Sequence, residues 1–164
     1  MLLDLKEIQR LAAKRENENL RFRSWLKGQS SNRIDRLAHE LNVYYSKEID
    51  CTQCGNCCTK LRPVMLEIDI DVLTKLLTLS REDFRKKYIM IDTDGDMMFK
   101  HLPCIFLKDK QCSIYESRPT DCRSYPHLHK TEFISRLYGV LENYAICPIV
   151  FNVIEDLKTR LNFR

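Results

Sequence analysis

The chain has 164 residues, a hydrophobic fraction of 44% and a charged fraction of 30%, ordinary values for a soluble globular protein long enough that metals need not carry all of its stability. Charges interrupt the opening Met-Leu-Leu-Asp-Leu-Lys-Glu-Ile before a signal-peptide core can form, and no apolar run approaches the ~18 residues of a membrane span, so a cytoplasmic protein without a membrane partner is expected. The formal charge of +4 does not argue for a nucleic-acid partner, because eight metal-bound thiolates would bring −8 and two dicationic centres +4, which cancels it.

Residues 2 to about 28 read as helix, with Leu5, Ile8, Leu11 and Ala12 at helical spacing, a polar stretch at 14–19 that marks a kink or exposed turn, and Gly28 as a stop. The basic residues Lys14, Arg15, Arg21, Arg23 and Lys27 read as a solvated face. Ser30-Ser31-Asn32 is a cap, and Ile34, Leu37, Ala38, Leu41 and Tyr44 form the apolar stripe of a second amphipathic helix, with His39 off it. A cysteine-bearing loop is expected at 50–60. Pro63 then breaks structure before a short extended piece, Val64-Met65-Leu66. Asp69 reads as the cap of a helix containing Val72, Leu73, Leu76 and Leu77. Ser80-Arg-Glu-Asp83 has capping-box spacing and opens another through Phe84 and Tyr88.

Residues 88–102 read as a hairpin turning at Asp94-Gly95. The run Asp92-Thr-Asp94-Gly95-Asp96 is not a calcium loop, since glycine falls fourth rather than sixth and the twelfth residue is Pro103. A second hairpin is expected from Cys104–Leu107 and Gln111–Tyr115, each strand with a cysteine near its start. A short turn or helix follows Arg118-Pro119 and bears Cys122, with Arg123 beside it. Phe133, Leu137, Val140, Leu141 and Tyr144 mark a helix ending before Cys147. Pro148 starts the last helix, whose buried stripe is Ile149, Val150, Val153, Ile154, Leu157 and Leu161. The expected fold is α+β and predominantly helical, with helices around a cysteine-rich irregular core and one or two short β-hairpins. With no repeat and no long linker, one domain is expected over 1–164: N-terminal helices at 1–48, a metal-binding region at 49–150 and a C-terminal helix at 148–164.

All eight cysteines lie from position 51 onward, four of them within Cys51-Thr-Gln-Cys54-Gly-Asn-Cys57-Cys58. Thiolates at i, i+3 and i+6 can face one point when the chain wraps around it, and Gly55 permits the positive φ such wrapping needs. A C-x2-C knuckle supplies two ligands to tetrahedral zinc. A C-x2-C-x2-C run closed by a distant Cys-Pro, here Cys147-Pro148, is how bacterial ferredoxins hold iron–sulfur clusters. The adjacent Cys57 and Cys58 are hard to bridge to each other, and cytoplasmic thiols stay reduced. Metal binding by Cys51, Cys54, Cys57, Cys58, Cys104, Cys112, Cys122 and Cys147 is therefore expected, with Cys51, Cys54, Cys57 and Cys58 first, helped by Cys122 and Cys147. His101, His127 and His129 are the imidazoles that could replace a thiolate in a metal shell.

The chain resembles the CxxCxxCC family of zinc- or iron-chelating domains over about 49–150. The resemblance is carried by the Cys51–Cys58 run, Pro103-Cys104-Ile-Phe-Leu107, Cys112-Ser-Ile-Tyr115-Glu-Ser-Arg118-Pro119-Thr-Asp-Cys122-Arg123-Ser-Tyr125-Pro126, and Cys147-Pro148. It implies metal binding by these cysteines. The first functional expectation is an iron–sulfur protein, a four-iron four-sulfur cluster favoured, in electron transfer, sensing or support of a partner protein. The second is a structural zinc module with two four-cysteine sites. The third is a small metal-dependent enzyme or methylase accessory, since the cluster also resembles one within much larger lysine methylases that act on flagellin. No nucleotide fingerprint or defensible Ser/His/Asp spacing supports that chemistry.

Overall fold

The computed structural model describes residues 1–163. The chain forms two compact units, Met1–Cys51 with Pro126–Arg164, and Thr52–Tyr125. The fold is predominantly helical α+β, with two short two-stranded antiparallel sheets.

The first unit is helical. The expected opening helix is two, α1 (Leu5–Lys14) and α2 (Glu16–Leu26), broken at Arg15, whose φ of −101° and ψ of 12° leave the helical region. Asp4 caps α1 by accepting the N–H groups of Lys6 and Glu7. α3 (Ser31–Glu48) packs against α9 (Phe133–Glu142) and α10 (Pro148–Arg160). Its buried stripe is Ile34, Ala38, Leu41 and Tyr45, while Tyr44 is 55% exposed. The stripe thus follows i, i+4, i+7, i+11, and the neighbouring tyrosine, not the expected one, lies on it. Asp35 anchors α9 by accepting the N–H groups of Glu132 and Phe133, each at 2.9 Å. α10 starts at Pro148 and buries all six residues of the expected stripe. Lys158 lies among them with its ammonium between Glu18, at 2.6 Å, and Glu155, at 2.8 Å.

The second unit is smaller and mixed. In place of the expected cysteine loop stand two short helices, α4 (Cys51–Cys54, whose remaining residues belong to this unit) and α5 (Asn56–Lys60). α6 (Glu67–Leu77) begins two residues before Asp69, so Asp69 is not its terminal cap. Its carboxylate reaches back to the Leu66 N–H at 3.0 Å. α6 buries Ile70 and Leu73 and leaves Val72 and Leu76 exposed. In α7 (Arg81–Tyr88), Ser80 accepts the Asp83 N–H as the capping-box spacing predicts. β1 (Ile89–Ile91) and β2 (Met97–Phe99) form the expected hairpin around Gly95, which takes φ 90°. The second hairpin is shorter than expected, β3 (Leu107–Lys108) with β4 (Gln111–Cys112). Cys104 therefore precedes its strand, and Tyr115–Ser117 is a 3-10 turn rather than strand. α8 (Thr120–Ser124) closes the unit. Its core is Met65, Ile70, Leu73, Phe84, Ile89, Phe99 and Phe106, with Cys104, Cys112 and Ile114 packed on the edge.

Candidate metal centre

Six of the eight cysteines belong to the second unit, Cys54, Cys57, Cys58, Cys104, Cys112 and Cys122. Gly55 joins α4 to α5 with φ 60° and ψ 2°, a left-handed conformation that glycine adopts without steric cost. A β-carbon on residue 55 would stand 2.5 Å from the Lys110 carbonyl oxygen and 3.1 Å from its carbon. Only a bare backbone lets the Cys54–Cys57 turn rest on the Asp109–Lys110 turn of the β3–β4 hairpin. One helical turn on, the Cys58 carbonyl accepts the Cys104 N–H at 2.8 Å. The cysteine run and the hairpin are thus pinned at two backbone points.

Cys112 lies in β4, opposite Leu107. Cys122 lies in α8, which Asp69 holds in place. One Asp69 oxygen accepts both the N–H and the hydroxyl of Thr120, each at 2.8 Å. Asp69 is 3% exposed, and a carboxylate so buried is stable only when its lone pairs are filled, here by α8 and by the start of α6. Asp121 adds a second strap, accepting the Val64 N–H at 3.1 Å.

The thiols of Cys58, Cys104, Cys112 and Cys122 stand in one another's electrostatic field. Burial pushes the Cys122 thiol up to about 12, and the charges of Cys58, Cys104, Asp121 and Cys112 push the same way. Burial also raises Cys104 and Cys112, each with a further push from Cys58. Cys58 goes the other way. The hydrogen bond from Cys57 is the largest cause, and with the Arg118 guanidinium it outweighs burial and brings Cys58 down to about 7. One thiol is thus ready to ionise near neutrality, and three resist ionising beside it. A bound cation removes that resistance, because it supplies the opposite charge that four neighbouring thiolates lack. None of the eight cysteines forms a disulfide. Among the described residues, no group of three or more His, Cys, Asp or Glu stands at metal-holding geometry. Thiolates would therefore have to draw inward around an ion. The donor set fits a soft metal, since it offers sulfur from four separate stretches of chain and an arginine to offset its charge.

The remaining expected residues are placed as follows. Cys51 is exposed at the start of α4, and Cys147 is buried at the N-cap of α10. His101 is exposed in the second unit. In the first unit, His127 is half-buried with φ 61°, and His129 is exposed. The His129 pKa is lowered, first by the partial desolvation of its ring and then by the charges of His127, Lys130, His39 and Arg136. Arg123, next to Cys122 in sequence, donates to the Thr120 hydroxyl at 3.1 Å. The guanidinium whose charge bears on the cysteines is Arg118. Spacing does not mark Asp69 as a strap on α8 or Arg118 as a charge that bears on Cys58, because Thr120 and Cys58 lie far from them in sequence.

A family model described as "putative zinc- or iron-chelating domain" matches residues 50–138, more than half of the chain. The chain belongs to the CxxCxxCC family. Membership supports a metal-binding role, and it covers every cysteine except Cys147. No curated protein and no solved structure matches the chain.

Proposed function

We propose that this CxxCxxCC protein chelates metal through the thiolates of its second unit, and that the resident group is an iron–sulfur cluster of the four-iron four-sulfur type. The observation that carries the reading is the shared field of Cys58, Cys104, Cys112 and Cys122, four thiols that come from α5, the segment before β3, β4 and α8. Such thiols cost energy to gather unless a cation neutralises them. Cys54 and Cys57, on the turn that Gly55 pins to Lys110, bring the donors of this unit to six. Six thiols exceed one tetrahedral shell, and Cys54 and Cys57 stand with Cys51 in a C-x2-C-x2-C run, the spacing of cluster-holding runs. Cys51 and Cys147, in the first unit, are the other two cysteines for which the resemblance implies metal binding. Within this reading the chain's own residues supply thiolates, exclude water with the Phe99–Phe106 side of the core, and offset charge. The bound cluster would supply one-electron chemistry for electron transfer, for sensing, or for a partner protein.

A structural zinc site is the second reading. It is favoured by the number of thiols in the shared field, since four close one tetrahedral zinc shell without an open position. Both readings suit a reducing compartment such as the cytoplasm, where thiols persist. Among the described residues, no helix is long and apolar enough to cross a membrane.

Purification without oxygen, followed by metal and sulfide analysis, separates the two. The cluster reading expects brown protein with iron and acid-labile sulfide and absorption at about 400 nm. Colourless protein holding zinc would replace it with the second reading, and protein holding neither would end both.

A further inference from the structure

Asn19 and Arg23 stand one turn apart on the same face of α2, in the first unit. Among the described residues, Asn19 Oδ1 and Arg23 Nε are the buried side-chain polar atoms without a hydrogen-bond partner. Asn19 is only 5% exposed. A buried polar atom left unpaired costs stability, and two on one helix face point to a shared cause. The sequence reads Arg23 as part of a solvated basic face. The structure instead half-buries it and sets its guanidinium 5.6 Å from the centre of the Tyr138 ring, on α9, against which α2 packs. The other half-buried arginines have acceptors, a carboxylate for Arg15 and backbone carbonyls for Arg118 and Arg136. Arg23 has none among the described residues, although a guanidinium stays charged at any ordinary pH and partial burial raises the cost of leaving it unpaired. Its surroundings are open to solvent. Leu20, three residues before it, and Tyr138 are both exposed, and Lys27, four residues after it, adds a second exposed cation.

We propose that Arg23, stacked on Tyr138, anchors a docking surface for an acidic segment of a partner protein. A carboxylate side chain brings the acceptors that this guanidinium lacks, and the two groups match as a bidentate pair. Nε is sealed in the free protein, so the carboxylate meets the outer end of the guanidinium first and reaches Nε as the exposed Tyr138 ring shifts. Asn19 presents a donor in place of its acceptor when its amide turns over, which suits it to the same anion. Leu20 and Tyr138 offer apolar contact beside the charge, and Lys27 extends the positive side. Arginine and tyrosine are the residue types that most often carry the binding energy at protein contacts. The surface uses no cysteine and stands or falls apart from the metal-binding reading.

The test pairs binding with stability in the full chain. A fluorescein-labelled octapeptide of alternating glutamate and leucine is titrated with the protein and followed by anisotropy, beside its glutamine–leucine counterpart. The glutamate peptide should bind about tenfold tighter than the glutamine one. Arg23→Gln should cost about tenfold of that affinity, the loss expected of an anchor residue. Arg23→Lys should fall between, because an ammonium keeps the charge without the fork. Arg21→Gln, exposed on the same helix, should stay within about threefold of wild type. Thermal unfolding gives the second readout. If the two orphaned atoms are kept for a partner, Asn19→Leu and Arg23→Met should unfold at a Tm no lower than that of the wild type while binding the glutamate peptide more weakly. A pair satisfied within the protein, for example by a buried water, predicts the reverse, lower Tm in both variants with peptide affinity unchanged, and that result would overturn the proposal. Equal binding of the two peptides, or wild-type affinity in Arg23→Gln, would overturn it as well. Should Asn19→Leu fail to fold, Arg23→Met carries the stability comparison alone.

Discussion

Gly55→Ala is the sharpest single perturbation of the site. The residue takes φ 60°, and an added β-carbon would meet the Lys110 carbonyl oxygen at 2.5 Å and the Leu107 side chain at 3.2 Å. The left-handed conformation alone costs a non-glycine residue about 1 kcal/mol or more. The clash is with backbone, so it is relieved only if the Cys54–Cys57 turn lifts from the β3–β4 hairpin. Together these give a loss of about 2–4 kcal/mol, or a Tm lower by roughly 5–15 °C for a chain of this size. Gly95→Ala is the matched control. It also has positive φ, 90°, but nothing lies within 4 Å of its added carbon, so it should lose only the conformational part, about 1 kcal/mol. The assay is thermal unfolding of both variants by circular dichroism, with metal content measured on the same preparations. Gly55→Ala should lose metal as well as stability, and Gly95→Ala should keep its metal. Equal losses in both variants would refute the claim that the cysteine turn is seated on Lys110.

In metal-free protein, alkylation at pH 7.5 should mark Cys58 first and Cys122 last, read by mass spectrometry of the peptides, because one thiol is lowered to about 7 and the other raised to about 12. Stability of that metal-free form should follow the same signs. Cys58, lowered from an ordinary value of 9, adds stability as pH rises from about 7 to 9. Cys122 removes stability above pH 9, where the unfolded thiol ionises and the folded one does not. A denaturant series from pH 6 to 10 should therefore pass through a maximum. Asp69→Ala should cost roughly 2–4 kcal/mol by urea unfolding and release metal, since three hydrogen bonds to a buried carboxylate go with it. Asp35→Ala, in the first unit, should cost about 1 kcal/mol through loss of the α9 cap and leave metal content unchanged.

Local patterns in the chain were readable where short-range physics decides them. The period of Ile149 to Leu161 marks α10, Pro148 marks its start, and Asp94-Gly95 marks the first hairpin. Serine at 80 finds the Asp83 N–H because that bond closes within one turn. Adjacent aromatics defeat the same reasoning. Tyr44 and Tyr45 are both compatible with the α3 stripe within one residue, and only packing selects Tyr45. The cysteine run has no apolar period, so its sequence alone suggests a loop. Gly55, in its left-handed conformation, divides it into two short helices. The mutual electrostatic influence of Cys58, Cys104, Cys112 and Cys122 is long-range and leaves no local signature. Nor do the straps that achieve it, Asp69 to Thr120 and Asp121 to Val64.

Native mass spectrometry of the full chain, prepared without oxygen, measures the bound mass directly, with Cys58→Ser and Cys122→Ser beside it. Thiolate chelation predicts added metal on the wild type, and its loss from both variants while helices of the first unit persist. A folded wild type at the bare polypeptide mass, or variants that hold the same added mass as the wild type, would contradict it.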